Sequence, residues 1–301
     1  NRFPFLSFLH GTRAERDIFR SAVSLDNPPR CKQQQEAAMQ QDDYRKAADY
    51  IYGELRMKTL PVGVKFLTDP ARMPEKTRRP SVTFGKKVTI CQGVTMARNY
   101  GWTVGLTRED LICVPAMIVF GFSDSQDPPA SLVELFCRID FSRTDELARL
   151  EVESMNRFDN GEISAIVMAP LGKGLFDPDT ILFFGNPAQM MRFAQGWSYV
   201  SGERVRGFYG GKVECDEYLI APFREGKPRM AIPGNGDRIF SMTQDDEMVF
   251  ALPGGRLADL VQGLESAGRA VGARYPVTPY QNFQPEFPKA HKEMGKQVGV
   301  M

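Results

Sequence analysis

Two histidines in 301 residues, His10 and His291, both near an end, remove a good deal of chemistry at once. A Ser-His-Asp or Cys-His pair would have to recruit a terminal segment, and an imidazole-rich zinc site cannot be assembled. The chain also lacks an excess of either charge. Its 38 basic and 37 acidic residues leave a net charge of +1. No basic surplus is there to displace counterions, so nucleic acid is not an expected partner. No apolar run reaches the ~18 residues a membrane helix needs, so no membrane contact is expected. The opening NRFPFLSFLHGT has neither the length nor the small-residue cleavage site of a secretory signal. Five cysteines, an odd number, do not make a secreted disulfide framework. A reducing cytoplasm is the expected location.

What is present reads as an ordinary globular chain, 42% hydrophobic and 25% charged. Tyr44, Ala47, Ala48, Ile51 and Leu55 recur at helical spacing within an amphipathic stretch over 32–57. VGVKFL is a strand whose Val62, Val64 and Phe66 share one face. VTICQGVTMARNYG reads as a short strand running into a helix that ends near Gly101. In LICVPAMIVFGF, Pro115 must sit in the first turn of a helix or break it. EISAIVMAPL and TILFFGNP are further strands, and AQMMRFAQGWSYVSG and GRLADLVQGLESAGRAV are helices. VRGFYGG, RMAIP and EMVFALP are short strands. Helices and strands interleave irregularly, which predicts an α+β fold with mixed or antiparallel sheets and packed helices.

The expected organisation is an irregular leader over 1–31, a single α+β domain over 32–270, and an extended Pro- and aromatic-rich arm over 271–301. The arm is a candidate surface for homo-oligomer contact. The order strand, helix, strand, cysteine, apolar stretch occurs twice, over 62–122 and 181–223. It suggests two related α/β halves, 45–140 and 141–270, with Cys113 and Cys215 in equivalent places.

The blocks LRMKTLPVGVKFL, CQGVTMARNYGWTVGLTREDLICVPAMIVFGF, GGKVECDEYLIAPF and GNGDRIFSMTQDDEMVFALP, in this order, resemble the bacterial and archaeal family catalogued as domain of unknown function 169. The likeness spans about residues 45–265. It implies a cytoplasmic protein and names no substrate. It also implies cysteines where this chain has Cys91, Cys113 and Cys215, and often a fourth just before the Gly-Asp-Arg turn. Gly234 stands in that place here.

Cys91, Cys113 and Cys215 are the candidate metal ligands, because polarisable sulfur holds iron–sulfur clusters and soft metals. They lie 22 and 102 residues apart, with no CxxC pattern, but each falls at an expected strand-to-helix boundary, where backbone N–H groups favour thiolate. The competing reading makes all three small buried hydrophobes. Cys137 reads as core. In PGNGDR, Gly236, Asp237 and Arg238 are candidates for contact with an anion. The motif matches neither the P-loop nor the dinucleotide fingerprint, since the strand-like IFSM follows where a helix is required. Asp245, Asp246 and Glu247 read as a solvated turn more readily than as a cation site. Lys65, opposite Val64 and Phe66, and Arg98, on the helix after Cys91, complete the candidates for an anionic cofactor or substrate group. The leading expectation is a protein binding an iron–sulfur cluster or other thiolate-held metal, with a redox role and a small anionic molecule as partner. The alternatives are a non-catalytic small-ligand binding module with structural cysteines, and a thiol enzyme using Cys91 without an evident base.

Overall fold

The computed structural model describes residues 39–271, 274–276, 283 and 286–300. The leader expected at 1–31 and the centre of the expected arm lie outside these residues. From Met39 onward the chain forms one compact unit. No helix among the described residues is long and apolar enough to cross a membrane.

The architecture is α+β, as the pattern predicts. A single six-stranded sheet runs in the order β2-β3-β1-β4-β6-β5. The strands are β1 (Val62–Leu67), β2 (Val104–Leu106), β3 (Ala165–Pro170), β4 (Thr180–Gly185), β5 (Arg229–Ala231) and β6 (Met248–Pro253). Every neighbouring pair is antiparallel. The first helix, α1 (Gln41–Glu54), buries Tyr44, Ala47, Ala48 and Ile51, the stripe its spacing announces.

Connectivity repeats across the sheet. β1 and β2 are both antiparallel to β3, which lies between them, so they are parallel to each other and need a crossover. β4 and β5 stand in the same relation to β6. In the first half the crossover is α2 (Ile90–Tyr100). In the second it ends in a π-helical turn, Asp216–Ile220, continuing into α7 (Ala221–Glu225). Between β2 and β3 come α3 (Val114–Val119), α4 (Pro128–Arg138) and α5 (Asp145–Ser154). Between β4 and the π turn comes α6 (Pro187–Ser201). The topological halves therefore meet between β3 and β4, not near residue 140.

The repeat also corrects the pairing of cysteines. Cys91 opens α2, which closes on left-handed Gly101 three residues before β2. Cys215 opens the π turn, and α7 closes on left-handed Gly226 three residues before β5. Cys91 and Gly101 are ten apart, and Cys215 and Gly226 eleven. A π turn accommodates one inserted residue. The counterpart of Cys215 is Cys91. Cys113 follows β2, whereas Cys215 precedes β5.

Two cores flank the sheet. On one face Val62, Val64, Phe66, Met168 and Leu182 pack with Ile90, Val94 and Ala97 of α2 and with Tyr218, Leu219 and Ile220 of the π turn. On the other, Ile181, Phe183, Phe250 and Leu252 pack under α1, α6 and α9 (Leu257–Val271). Burial of each large side chain contributes about 1.5–3 kcal/mol. α6 and α9 approach closely, since a Cβ on Gly263 would lie 2.0 Å from the carbonyl oxygen of Gly196.

Three expected strands differ. VTICQ contributes only a bridge from Val88 to Leu111, and VRGFYGG only one from Arg206 to Arg229. IFSM belongs to α8 (Asn235–Phe240) and to the turn after it. There Gly234 N donates to Asp237 Oδ2 at 3.1 Å, and this N-terminal cap outweighs the strand propensity of Ile239 and Phe240. The arm region carries a short helix, α10 (Lys289–Gln297).

The seam between halves is only three residue pairs long: Val62 to Leu182, Gly63 to Ile181 and Val64 to Thr180. Asp179 extends it. Its backbone N donates to Val64 O (2.8 Å), its Oδ2 accepts from Phe66 N (2.8 Å), and its Oδ1 accepts from Lys65 Nζ (2.7 Å). Asp179→Ala is expected to cost about 2–3 kcal/mol in urea unfolding, with Asp179→Asn costing less. An unchanged midpoint for the alanine variant would remove this carboxylate from the account of the seam.

Candidate functional site

All three candidate ligands sit at helix starts. Cys91 is in the first turn of α2, which is held by a capping box. Gln92 N donates to Thr89 Oγ1 (3.2 Å), and Thr89 N donates to Gln92 Oε1 (2.8 Å). Thr89 Oγ1 also lies 3.0 Å from Cys91 Sγ. Cys113 caps α3, with Pro115 in its first turn, the first of the two placements the sequence allowed. Cys215 precedes the π turn. Cys215 is buried, and Cys91 and Cys113 are half-buried.

The three thiols lie within electrostatic reach of one another. Burial is the largest influence on each and raises it, Cys91 to about 11. Cys113 and Cys91 both push the Cys215 thiol further up, and Cys113 does the same to Cys91. One carboxylate, Asp237, raises all three. Backbone N–H groups at a helix start favour thiolate, and the N–H of Ala116 acts on Cys113 in that sense. Desolvation outweighs it, so the thiols are protonated at neutral pH.

The same holds for the acids around them. Asp237 is buried, accepts a hydrogen bond from Tyr218 Oη (2.8 Å), and is raised by burial. Glu214 rises to about 7 through burial, although the N–H groups of Gly210 and Gly211 donate to its Oε1. Asp216, accepting from Asn156 N at 2.8 Å, rises to about 7 for the same reason. Here burial and mutual repulsion disfavour negative charge on thiols and carboxyls together. Sulfur and carboxylate oxygen suit a soft or borderline cation chemically. Among the described residues, however, no group of three or more His, Cys, Asp or Glu side chains is arranged to hold a metal ion.

The expected anion contacts are occupied within the protein. Lys65 points to the face opposite Val64 and is paired with Asp179. Arg98 is 1% exposed, not at the surface. It makes a two-pronged pair with Glu247 (2.9 and 3.1 Å) and lies 4.0 Å from the centre of the Phe184 ring. Glu247 is therefore a buried partner, while Asp245 and Asp246 are exposed. Arg238 donates to the carbonyl oxygens of Gln244 and Glu247. Gly236 lies in α8, where a Cβ would meet the Phe240 ring at 3.7 Å. A side chain in place of Gly234 would meet Gly211 O at 3.0 Å and Glu214 Cγ at 3.1 Å. Cys137 is half-buried on α4, and neighbouring Asp145 pushes its thiol up by hydrogen bonding and charge. Cys31 lies outside the described residues. Sequence reasoning missed Tyr218, Glu214 and Asp216. Their signal is proximity in VECDEY to Cys215, with three acids in an otherwise buried helix start.

The model of the family named domain of unknown function 169, described as uncharacterised ArCR, matches residues 50–263. The chain belongs to this family. An uncharacterized protein of Methanocaldococcus jannaschii is 27% identical over 214 residues, 70% of this chain and 90% of that protein. No solved structure matches. The family match contains Cys91, Cys113, Cys215 and Asp237.

Glu214 and Asp216 bind protons more tightly folded than unfolded. Their contribution to stability is full below about pH 4, and is lost as pH rises through about 7. Glu214→Gln keeps an acceptor for the Gly210 and Gly211 amides and should remove on the order of 2 kcal/mol of that loss. Urea midpoints at pH 5 and pH 8 measure it: the variant's difference should be smaller than the wild type's. Equal differences would mean that Glu214 titrates normally.

Proposed function

We propose that this protein binds a soft metal ion or an iron–sulfur cluster through Cys91, Cys113 and Cys215, with Asp237 as the accompanying carboxylate. The observation that carries the reading is the gathering of three thiols, from three helix starts, around one acid. Burial raises all four groups, and Asp237 raises each thiol further. A cation relieves that penalty for all of them together, and its binding releases their protons. When bound, such a centre supplies electron transfer or Lewis acidity, and sulfur ligation suits a redox role. This chain's own residues hold the donors. The Thr89–Gln92 box fixes the first turn of α2, and the Tyr218 hydroxyl orients Asp237. The free thiols Cys91, Cys113, Cys137 and Cys215 fit a reducing, cytoplasmic setting. A small anionic molecule is the proposed partner.

A second reading, a small-ligand binding module whose cysteines are structural, is favoured by the lack of a ready-made ion site among the described residues. The two part company in one titration. Cobalt(II) is added anaerobically to reduced, metal-free protein in weak buffer, with absorbance and proton release followed together. The metal reading expects sulfur-to-cobalt charge-transfer bands with released protons, and affinity that rises with pH. Cys113→Ser should weaken binding by about tenfold or more. A folded protein that shows neither bands nor protons supports the binding module instead.

A further inference from the structure

A cleft of about 270 Å³ opens between the end of α6, the segment 203–208 and the start of β5. Its lining includes Arg204, Arg206, Lys227 and Arg229, with Glu203 and Glu225 as the acids. Four cations thus face two carboxylates. Both carboxylates are already engaged: Glu203 pairs with Lys227 at 2.9 Å, and Glu225 with Arg229. Arg204 and Arg206 are exposed and have no ion pair or side-chain hydrogen bond to another described residue. Both side chains line the same cleft.

The wall is built. Gly207 lies against β5 so closely that a Cβ would sit 1.9 Å from Met230 O, while Met230 N donates to Arg206 O at 2.9 Å. Only glycine permits that approach, and it fixes the spacing of the arginine segment against Arg229. Arg229 is 5% exposed, and its Nε has no hydrogen-bond partner, although Glu217 stands 3.5 Å away. A buried guanidinium N–H without an acceptor is costly. The Phe208 ring, 65% exposed, lies over the Arg229 guanidinium, 5.1 Å from ring centre to carbon. The cleft therefore offers planar donors for an anion beside an exposed ring for an apolar body.

We propose that this cleft binds a small phosphomonoester, with the phosphate between Arg204 and Arg206 and the organic part against Phe208. This deepens the reading of a small anionic partner and does not rest on the thiols. Glu217 accepts from Phe208 N at 3.2 Å and lies two residues from Cys215, so the cleft backs onto the thiol pocket.

The test uses the full chain and two probes, inorganic phosphate and adenosine 5′-monophosphate, by calorimetry at low salt. The nucleotide is expected to bind at one site per chain and more tightly than phosphate alone. The double variant Arg204→Ala/Arg206→Ala should lose about tenfold or more in affinity, because charge-assisted, two-pronged contacts are the strong ones. Phe208→Ala should lower nucleotide affinity toward that of phosphate. Urea midpoints check that both variants fold. Repeating the titration in Cys113→Ser separates the sites, since binding there should be unchanged whether or not the thiols hold a metal. The proposal is overturned if neither probe gives a saturable heat, or if the double variant, folded, binds as the wild type does.

Discussion

Everything in this fold passes through the antiparallel contact of β1 with β4. Three residue pairs and one carboxylate, Asp179, join two strand–helix–strand–strand units into a continuous sheet. Because the order of strands reverses about this seam, the crossover helices α2 and the π turn with α7 lie on one face. Their N-termini carry Cys91 and Cys215. The seam thus places two sulfurs from distant parts of the chain near each other, and α3 adds Cys113. The buried pair Arg98–Glu247 then ties α2 to the residue that leads into β6 in the other unit. Such a pair is weak evidence for net stability, since desolvation offsets most of the attraction. Breaking it from one side is costly.

The thiol pocket is held in its proton-bound form. Cysteines at helix starts ionise readily where solvent or a cation helps, and here neither the α3 amide nor the capping hydroxyl of Thr89 compensates for burial. Glu214, Asp216 and Asp237 obey the same physics. A site of this kind disfavours an anion, which is the ground on which a cation is proposed there. The basic cleft on the far side of Glu217 has the opposite polarity. The two environments meet at the short run Cys215-Asp216-Glu217, where the helix carries its extra residue. π turns recur where a functional side chain has to be re-aimed, and this one sits between the two proposed sites.

Much of the scaffold is legible in the amino-acid sequence. Helical spacing picks out the buried face of α1, and of the two placements that Pro115 allows, a first turn or a break, the structure has the first. Alternation put Lys65 on the opposite face from Val64. Failures came where long-range partners decide. VTICQ and VRGFYGG have strand-like composition, but the sheet offers each only one bridging residue. The first half of IFSM is helix because Asp237 caps its own first turn. The strand–helix–strand order was visible twice, yet the wrong cysteine was matched, because strand order in a sheet does not follow order in the chain. Alternating Arg204 and Arg206, with Lys227 and Arg229, carried a period-two signal that was there to be read.

The amino-acid sequence determined the α+β class, the main helices and the family blocks. Those properties are local, set by spacing and side-chain type within a few turns. Tertiary structure alone decided that Asp237 stands beside all three thiols, that Arg98 is sealed against Glu247, and that four basic residues share a cleft. Each depends on contacts between residues far apart in the chain, and no local periodicity encodes which of them burial will bring together.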